Sequence, residues 1–357
     1  MKRALLVLCV LVPAAAAALA GSRPVEARAD VPRPRGYVAV RASAPLNIDG
    51  RLDDAAWTKA PWTELFVDIE GDAKPKPTLN TRARLLWDAT YLYIGAQLDE
   101  PNLWSDITEH DAVIFREHDF EVFIDPNGDS HDYFEFEINA RGTFWDLRLP
   151  MPYRAGGQAI DSWDFHGLKS AVHLDGTLNQ PNDVDRGWSV ELAMPWSAFG
   201  PDERHPSVPR DGDQWRVNFS RVEWPTDVVD GKYRVKPGVN EHNWVWSPQQ
   251  VVDMHRPERW GYVQFADAAT PFVPDPAWLA RQWLQAVYEA QREFRIAQKR
   301  YAATLAELGM AVPVDAGLTE PQLFVTPSLF EATIRSRVSG SETAVWHIRQ
   351  DARVWRE

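Results

Sequence analysis

Acidic and aromatic side chains alternate along Asp119-Phe-Glu-Val-Phe-Ile-Asp-Pro-Asn-Gly-Asp-Ser-His-Asp-Tyr-Phe-Glu-Phe-Glu-Ile-Asn139. That composition suits a polyhydroxylated ligand. Rings stack on the apolar C–H face of a pyranose, while carboxylates and amides grip its hydroxyls in pairs. Two strands around an Asp-rich turn are expected here. Period 2 then places Glu121, Glu137 and Asn139 on one face of the strand pair. The turn itself, Asp125 to Asp132, sets oxygen atoms at alternate positions. Asp125, Asn127 and Asp129 are therefore candidate ligands for a structural calcium ion, although the closing bidentate Glu of an EF-hand loop is missing. The competing reading is an ordinary Asp/Asn/Gly hairpin turn.

The chain has 17 tryptophans, and most of them lie between Tyr37 and Phe265. Trp57, Trp87, Trp188, Trp196, Trp215 and Trp260 sit in apolar context and read as core. Trp104, Trp145, Trp163, Trp224 and Trp246 have polar or loop-flanking neighbours, which makes them the candidate stacking platforms. An amphipathic ring can equally well cover a core edge. Around the strand pair, Trp145, Trp163, Arg221, Trp224 and His255 join the candidate ligand-binding set.

Enzyme signatures are absent from the sequence. It contains no Gly-x-Ser-x-Gly elbow, His-Glu-x-x-His zinc motif or phosphate loop. Acidic residues are plentiful, but no spacing singles out the carboxylate pair a glycosidase needs. The net charge of −13 makes nucleic acid a poor partner. Residues 1–29 have the layout of a secretory signal: basic Lys2-Arg3, an apolar run from Ala4 to Leu19, and small-residue sites at Ala18-Leu-Ala20 and Ala27-Arg-Ala29. The run is short for a membrane span. A secreted or periplasmic protein is expected, with no membrane span once the signal is removed. Cys9, the sole cysteine, lies inside that run, so the rest of the chain has no disulfide.

These residues need a scaffold. After a Pro- and Arg-rich linker at 30–36, short apolar or alternating runs follow one another from 37 to 266. Among them are Thr81–Trp87, Tyr91–Leu98, Phe120–Ile124, Tyr133–Ile138, Phe144–Leu149, Leu168–Leu174, Trp188–Met194, Trp215–Val222 and Tyr262–Phe265. Many short strands with almost no helical period imply a mainly β fold, an antiparallel β-sandwich of immunoglobulin-like or jelly-roll type. Pro195 to Phe199 reads as a short helical turn capping the sheet. From 274 to 357 the pattern changes. Asp275 and Pro276 open a helix. Its apolar stripe runs from Leu279 through Trp283, Val287, Phe294, Tyr301 and Leu305 to Leu308, with Gly309 as the stop. A helix of roughly 50 Å is expected. Beyond it, Phe330 to Trp355 alternates around Ser339-Gly-Ser341 and Asp351-Ala352, as a small hairpin sheet does.

Four segments carry a family resemblance: Ile48-Asp-Gly-Arg-Leu-Asp-Asp-Ala-Ala-Trp57, Arg84 to Pro101, Asp119 to Asn139, and Arg256-Pro-Glu-Arg-Trp-Gly-Tyr-Val-Gln-Phe265. In this order they resemble the family 9 carbohydrate-binding modules, β-sandwiches attached to secreted xylanases. The resemblance implies a binding site, and it maps unevenly. The acid that grips hydroxyls falls on Glu121, and the first platform falls near Phe115. The hydroxyl-binding Arg of the family falls on Glu137, so that contact has changed sign. The second platform Trp falls near Met254, and its ring is gone. An open, one-sided surface is implied, recognising a poly- or oligosaccharide and serving separate glycoside hydrolases. The resemblance also raises the odds of calcium. Two alternatives stay open: a hydrolase of glycosidic bonds, and an electron-transfer sandwich or envelope scaffold, with Met254 or His255 as an axial ligand to non-covalent haem.

Overall fold

The computed structural model describes residues 31–200, 208–311, 317–339 and 342–357. The expected signal segment lies outside the described residues, as does most of the Ser339-Gly-Ser341 turn. Among the described residues fourteen strands precede the helix: β1 Gly36–Arg41, β2 Val67–Asp68, β3 Thr81–Trp87, β4 Tyr91–Asp99, β5 Asp119–Asp125, β6 Tyr133–Asn139, β7 Phe144–Leu149, β8 Lys169–Asp175, β9 Gly187–Pro195, β10 Gln214–Glu223, β11 Thr226–Val229, β12 Lys232–Val235, β13 His242–Val245 and β14 Gly261–Ala266. After them come α1 Trp278–Gln298 and strands β15 Leu318–Val325, β16 Phe330–Ser339, β17 Glu342–Arg349 and β18 Val354–Arg356. The short helical turn follows β9 at Trp196–Phe199.

Most strands follow one hydrogen-bonded path, β7-β6-β5-β10-β14-β1-β3-β4-β9-β8, with β13 and β2 branching from β10. The path curls into a sandwich because the two arms share one core. Phe120, Val122, Phe136, Ile138, Val217 and Phe219 of the first arm pack with Leu85, Ile94, Ala96, Val190 and Leu192 of the second. Pairing is antiparallel except at β1, which runs parallel to both β14 and β3 and joins the arms. Parallel pairing needs a long crossover, and both partners of β1 lie far along the chain.

Alternation explains each strand of the first arm. On β5 the even-numbered side chains enter the core, so Asp119, Glu121, Phe123 and Asp125 emerge on the opposite face. On β6, Phe134, Phe136 and Ile138 go inward while Tyr133, Glu135, Glu137 and Asn139 emerge. That second face is also covered, for all seven residues of each strand are buried. Trp260 and the segment before it lie over it, packing Phe123, Tyr133, Leu147 and Leu149 into a small second cluster.

The motif segments prove to be braces. Glu191 accepts from the Trp57 indole at 2.8 Å and from the amides of Asp49 and Gly50 at 3.0 Å, tying Ile48–Trp57 to β9. Glu258 of the Arg256–Phe265 segment is buried between Arg154 and Arg256.

The C-terminal unit has its own core, built from Leu284, Val287 and Tyr288 of α1 and Phe330, Ala332, Ile334 and Ile348 of a four-stranded sheet ordered β15-β16-β17-β18. Two expectations need correcting. The helix stops at Gln298, about 32 Å from its start. Lys299 adopts left-handed φ 59° and donates to the Arg295 carbonyl, which ends the spiral. The apolar period continues past that point because Tyr301, Leu305, Leu308 and Met310 fold back onto the same core. The hairpin is larger than expected, since Leu318–Val325 adds an edge strand.

Candidate functional site

A cavity of about 390 Å³ opens on the covered face of the β5–β6–β7 arm. Glu121, Glu135 and Glu137 form its floor with Phe123, Leu147 and Val222. Phe115, Trp145 and Tyr153 form one wall, and Val252, Asp253, Met254 and His255 another. Of the residues expected to bind ligand, Phe115, Glu121, Glu137, Trp145, Met254 and His255 converge here.

The aromatic wall is held rigid. The Phe115 and Trp145 rings stack at 6.4 Å between centroids, inclined by 30°. The Phe115 amide donates to Glu137 Oε2 at 3.0 Å, and its carbonyl accepts from the Trp224 indole at 2.8 Å. Trp145 donates its own indole N–H to Asp161 at 2.8 Å. Phe115 remains 41% exposed although an apolar ring gains by burial, so its free surface is available for stacking.

The floor is electrostatically unusual. Glu121 and Glu137 are register partners across the hairpin. Carboxylate oxygens of Asp119, Glu121 and Glu137 all lie within 4.8 Å of one another. Burial pushes the Glu121 carboxyl up to about 7 and Glu135 up to about 8. Asp119 and Glu137 are raised well above the usual carboxylate range, first by burial and then by neighbouring acids. No Lys or Arg lines the cavity. His255 supplies no charge either, because desolvation lowers it to about 4. Its Nδ1 pairs with the Tyr133 hydroxyl at 3.0 Å, and its Nε2 faces Glu135 at 4.0 Å.

Four expected ligand residues lie elsewhere. Arg221 is a correction: it is fully buried behind the floor. Its guanidinium bonds Glu100 at 2.6 Å, Glu223 at 2.8 Å and the Asp99 carbonyl at 2.8 Å. His118 completes this network beside Glu100 and Glu223, which help raise it to about 9. Asn139 is also corrected. It is buried at the hairpin end, donates to the Ile107 carbonyl and accepts from the amides of Arg141 and Thr143. Trp163 packs on Phe134 and Phe165 at the core edge. Trp224 touches the site only by bracing Phe115. Trp104 and Trp246 are buried.

The turn expected to hold calcium is tied by its own bonding. Asp125 accepts from the amides of Gly128 and Ser130, Asn127 from that of Asp129, and Asp129 from His131 and from Arg353. Arg281 donates to the Gly128 carbonyl. Each side-chain oxygen is engaged, and the positive charge at the turn comes from arginines of the C-terminal unit.

Sequence reasoning overlooked Asp119, Glu135 and Tyr153. The first two were within reach: Asp119 and Glu121 on one strand, and Glu135 and Glu137 on the next, each share a face by period 2. Tyr153 arrives from a loop and leaves no periodic signal.

A β-sandwich with an aromatic-walled, carboxylate-floored cavity on a sheet face has the form of a saccharide-binding module. Residues 48–209 match the model of the carbohydrate family 9 binding domain-like family. The sandwich continues past the matched range through β10, β13 and β14. Similar curated proteins are an exoglucanase of Acetivibrio thermocellus, 27% identical over 152 residues, and an endo-1,4-beta-xylanase of Thermoanaerobacterium saccharolyticum, 27% identical over 154 residues. Each alignment covers 43% of this chain but only 12% and 11% of those proteins, so the chain spans about an eighth of their length. A family 9 module from Caldicellulosiruptor kristjanssonii, solved in complex with cellotriose and also with glucose, is 15% identical with a TM-score of 0.43. That likeness covers 67% of this chain and 100% of the module. No helix among the described residues is long and apolar enough to cross a membrane.

Proposed function

We propose that the sandwich is a non-hydrolytic binding module for a poly- or oligosaccharide, with its ligand in the Phe115–Trp145 cavity. The observation that carries this reading is the stacked Phe115–Trp145 wall standing over Glu121 and Glu137, both fixed before any ligand arrives. Stacking on the wall and hydroxyl contacts to the floor must offset the ordering cost of association, so binding is weak, and the rigid wall limits that cost. Met254 takes the place of a second ring. The cavity is therefore one-sided and suits internal segments of a chain as well as its ends. We place the protein outside the cytoplasm, acting beside separate glycoside hydrolases. The layout of residues 1–29 supports the first statement, and the names of the matched curated proteins support the second.

Hydrolysis is the second reading, because the hairpin brings Glu121 and Glu137 together. A retaining glycosidase needs one ionised nucleophile beside one acid. Here all four carboxyls are pushed the same way and no lining cation keeps one of them ionised, which favours binding.

Calorimetry against xylo- and cello-oligosaccharides, paired with a reducing-end assay, tests the proposal. Saturable binding without new reducing ends supports it. Turnover transfers the site to the hydrolase reading, and no binding by any saccharide overturns it.

A further inference from the structure

Several buried acids elsewhere in the described residues are matched with partners. Glu100 and Glu223 face Arg221 and His118, Glu258 faces Arg154 and Arg256, and Glu191 is satisfied by an indole and two amides. The cavity floor breaks this rule. Glu121, Glu135 and Glu137 line the cavity, Asp119 is buried beside Glu121 and Glu137, each of the four is at most 5% exposed, and no Lys or Arg lines the cavity. Arg221 lies behind Asp119, yet its guanidinium bonds go to Glu100, Glu223, Thr81 and the Asp99 carbonyl. Asp119 Oδ2 and Glu135 Oε2 are buried without any hydrogen-bond partner. An orphaned buried carboxylate oxygen is costly, and the native fold retains two of them at one site.

A group that satisfied this floor would bring positive charge and several N–H donors. The rest of the cavity narrows its nature. A bare metal ion draws nothing from Phe115, Trp145, Val222, Val252 and Met254, which line so much of the wall. A pyranose uses such a wall, and an ammonium group gains further from an aromatic face. We infer that the preferred ligand is a saccharide carrying free amines, a deacetylated amino-sugar chain. Its ammonium groups sit on Glu121, Glu135 and Glu137 while a ring face lies on Trp145 and Phe115. This rests on the binding reading above and specifies its ligand class.

The test is calorimetry on the full chain at neutral pH with fully deacetylated chitotetraose, N-acetylated chitotetraose and cellotetraose, and with calcium, magnesium and zinc ions added alone. The deacetylated chain should bind at least about tenfold more tightly than either neutral chain. Glu137→Gln and Glu135→Gln, which keep the volume, should each erode that preference without lowering the melting temperature. If one variant fails to fold, the other still decides. Equal affinity for all three chains overturns the inference and leaves sugar recognition standing. Tight binding of a metal ion with no preference among the glycans overturns it in favour of an ion site. Silence from every saccharide removes both this inference and the reading beneath it.

Discussion

Glu121 and Glu137 face each other as a register pair across the β5–β6 hairpin, both buried and both acids. Like charges directly opposite are destabilising, and burial adds to the cost. Burial raises both carboxyls, which makes stability depend on pH. With the folded carboxyls of Glu121 and Glu135 raised to about 7 and about 8, their favourable contribution is complete below the unfolded value near 4.5 and is lost as pH rises through 7 to 8. The groups facing this cluster are Arg221 behind Asp119, Tyr133, Tyr153, and His255 with Arg154 beside it, and none of them places a positive charge in the cavity. Melting temperature should therefore be higher at pH 5 than at pH 8. Glu137→Gln should flatten that slope and raise the pH 8 value, by about 2–4 °C for each kcal/mol recovered. A flat profile for the parent chain would contradict the buried-acid account.

Removing the platform should separate binding from folding. Trp145 is half-buried at the cavity rim, its indole tied only to Asp161. Trp145→Ala should weaken saccharide binding about tenfold while costing on the order of 1 kcal/mol of stability. Titration calorimetry and thermal melts on the same preparation check both halves. Unchanged affinity would move the ligand away from this wall.

Arg221 behaves in the opposite way. It is a cation enclosed by Glu100 and Glu223, so Arg221→Met leaves two buried carboxylates with His118 as their remaining positive partner. Loss of one partner from such a network costs about 3–5 kcal/mol. Denaturant unfolding should show that loss, and Glu223→Gln added to Arg221→Met should restore part of it. A loss of sugar affinity at unchanged stability would instead return Arg221 to the binding site.

The contrast between Arg221 and Glu121 shows how far the sequence could be read. Alternation sets which face of a strand a residue occupies, and nine expected strands appear close to their expected limits. Face is not exposure. Asn139 shares a face with Glu137 but lies at the hairpin end, where its amide closes the turn. Arg221, four residues after Val217 on β10, belongs by parity to the core side, and its charge drew attention away from that. The resemblance pointed to Phe115, Glu121, Glu137 and Met254, alternation put Glu121 and Glu137 on one face, and polar context pointed to Trp145 and His255; these six line one cavity. Tyr153 was not, since a loop positions it through contact with His255. The helix was overestimated because burial, which sets the apolar period, continues beyond Lys299 although the helical hydrogen bonds do not.

The Asp125–Asp132 turn leads to the last prediction. Its oxygens accept from backbone amides and from Arg353, Arg281 donates to the Gly128 carbonyl, and the His131 ring pairs with the Asp351 carbonyl at 2.9 Å. The Val354 amide adds a bond to the Asp129 carbonyl at 3.0 Å. These contacts clamp the turn to the C-terminal sheet, so the turn acts as a docking element between two cores. Arg353 is 29% exposed at its side chain, which limits its ion pair with Asp129 to about 1 kcal/mol. Arg281 is more enclosed, lying over Trp346 at 5.2 Å and reaching Gly128. Arg281→Ala should therefore loosen the joint more than Arg353→Ala. Hydrogen exchange should rise at the amides of Ser130, His131 and Val354 in both variants, with α1 protected in neither case less than its own core requires. Thorough chelation should leave the melting curve of the parent chain unchanged. A fall in melting temperature on chelation, restored by calcium, would show that the turn holds an ion in addition to the arginines.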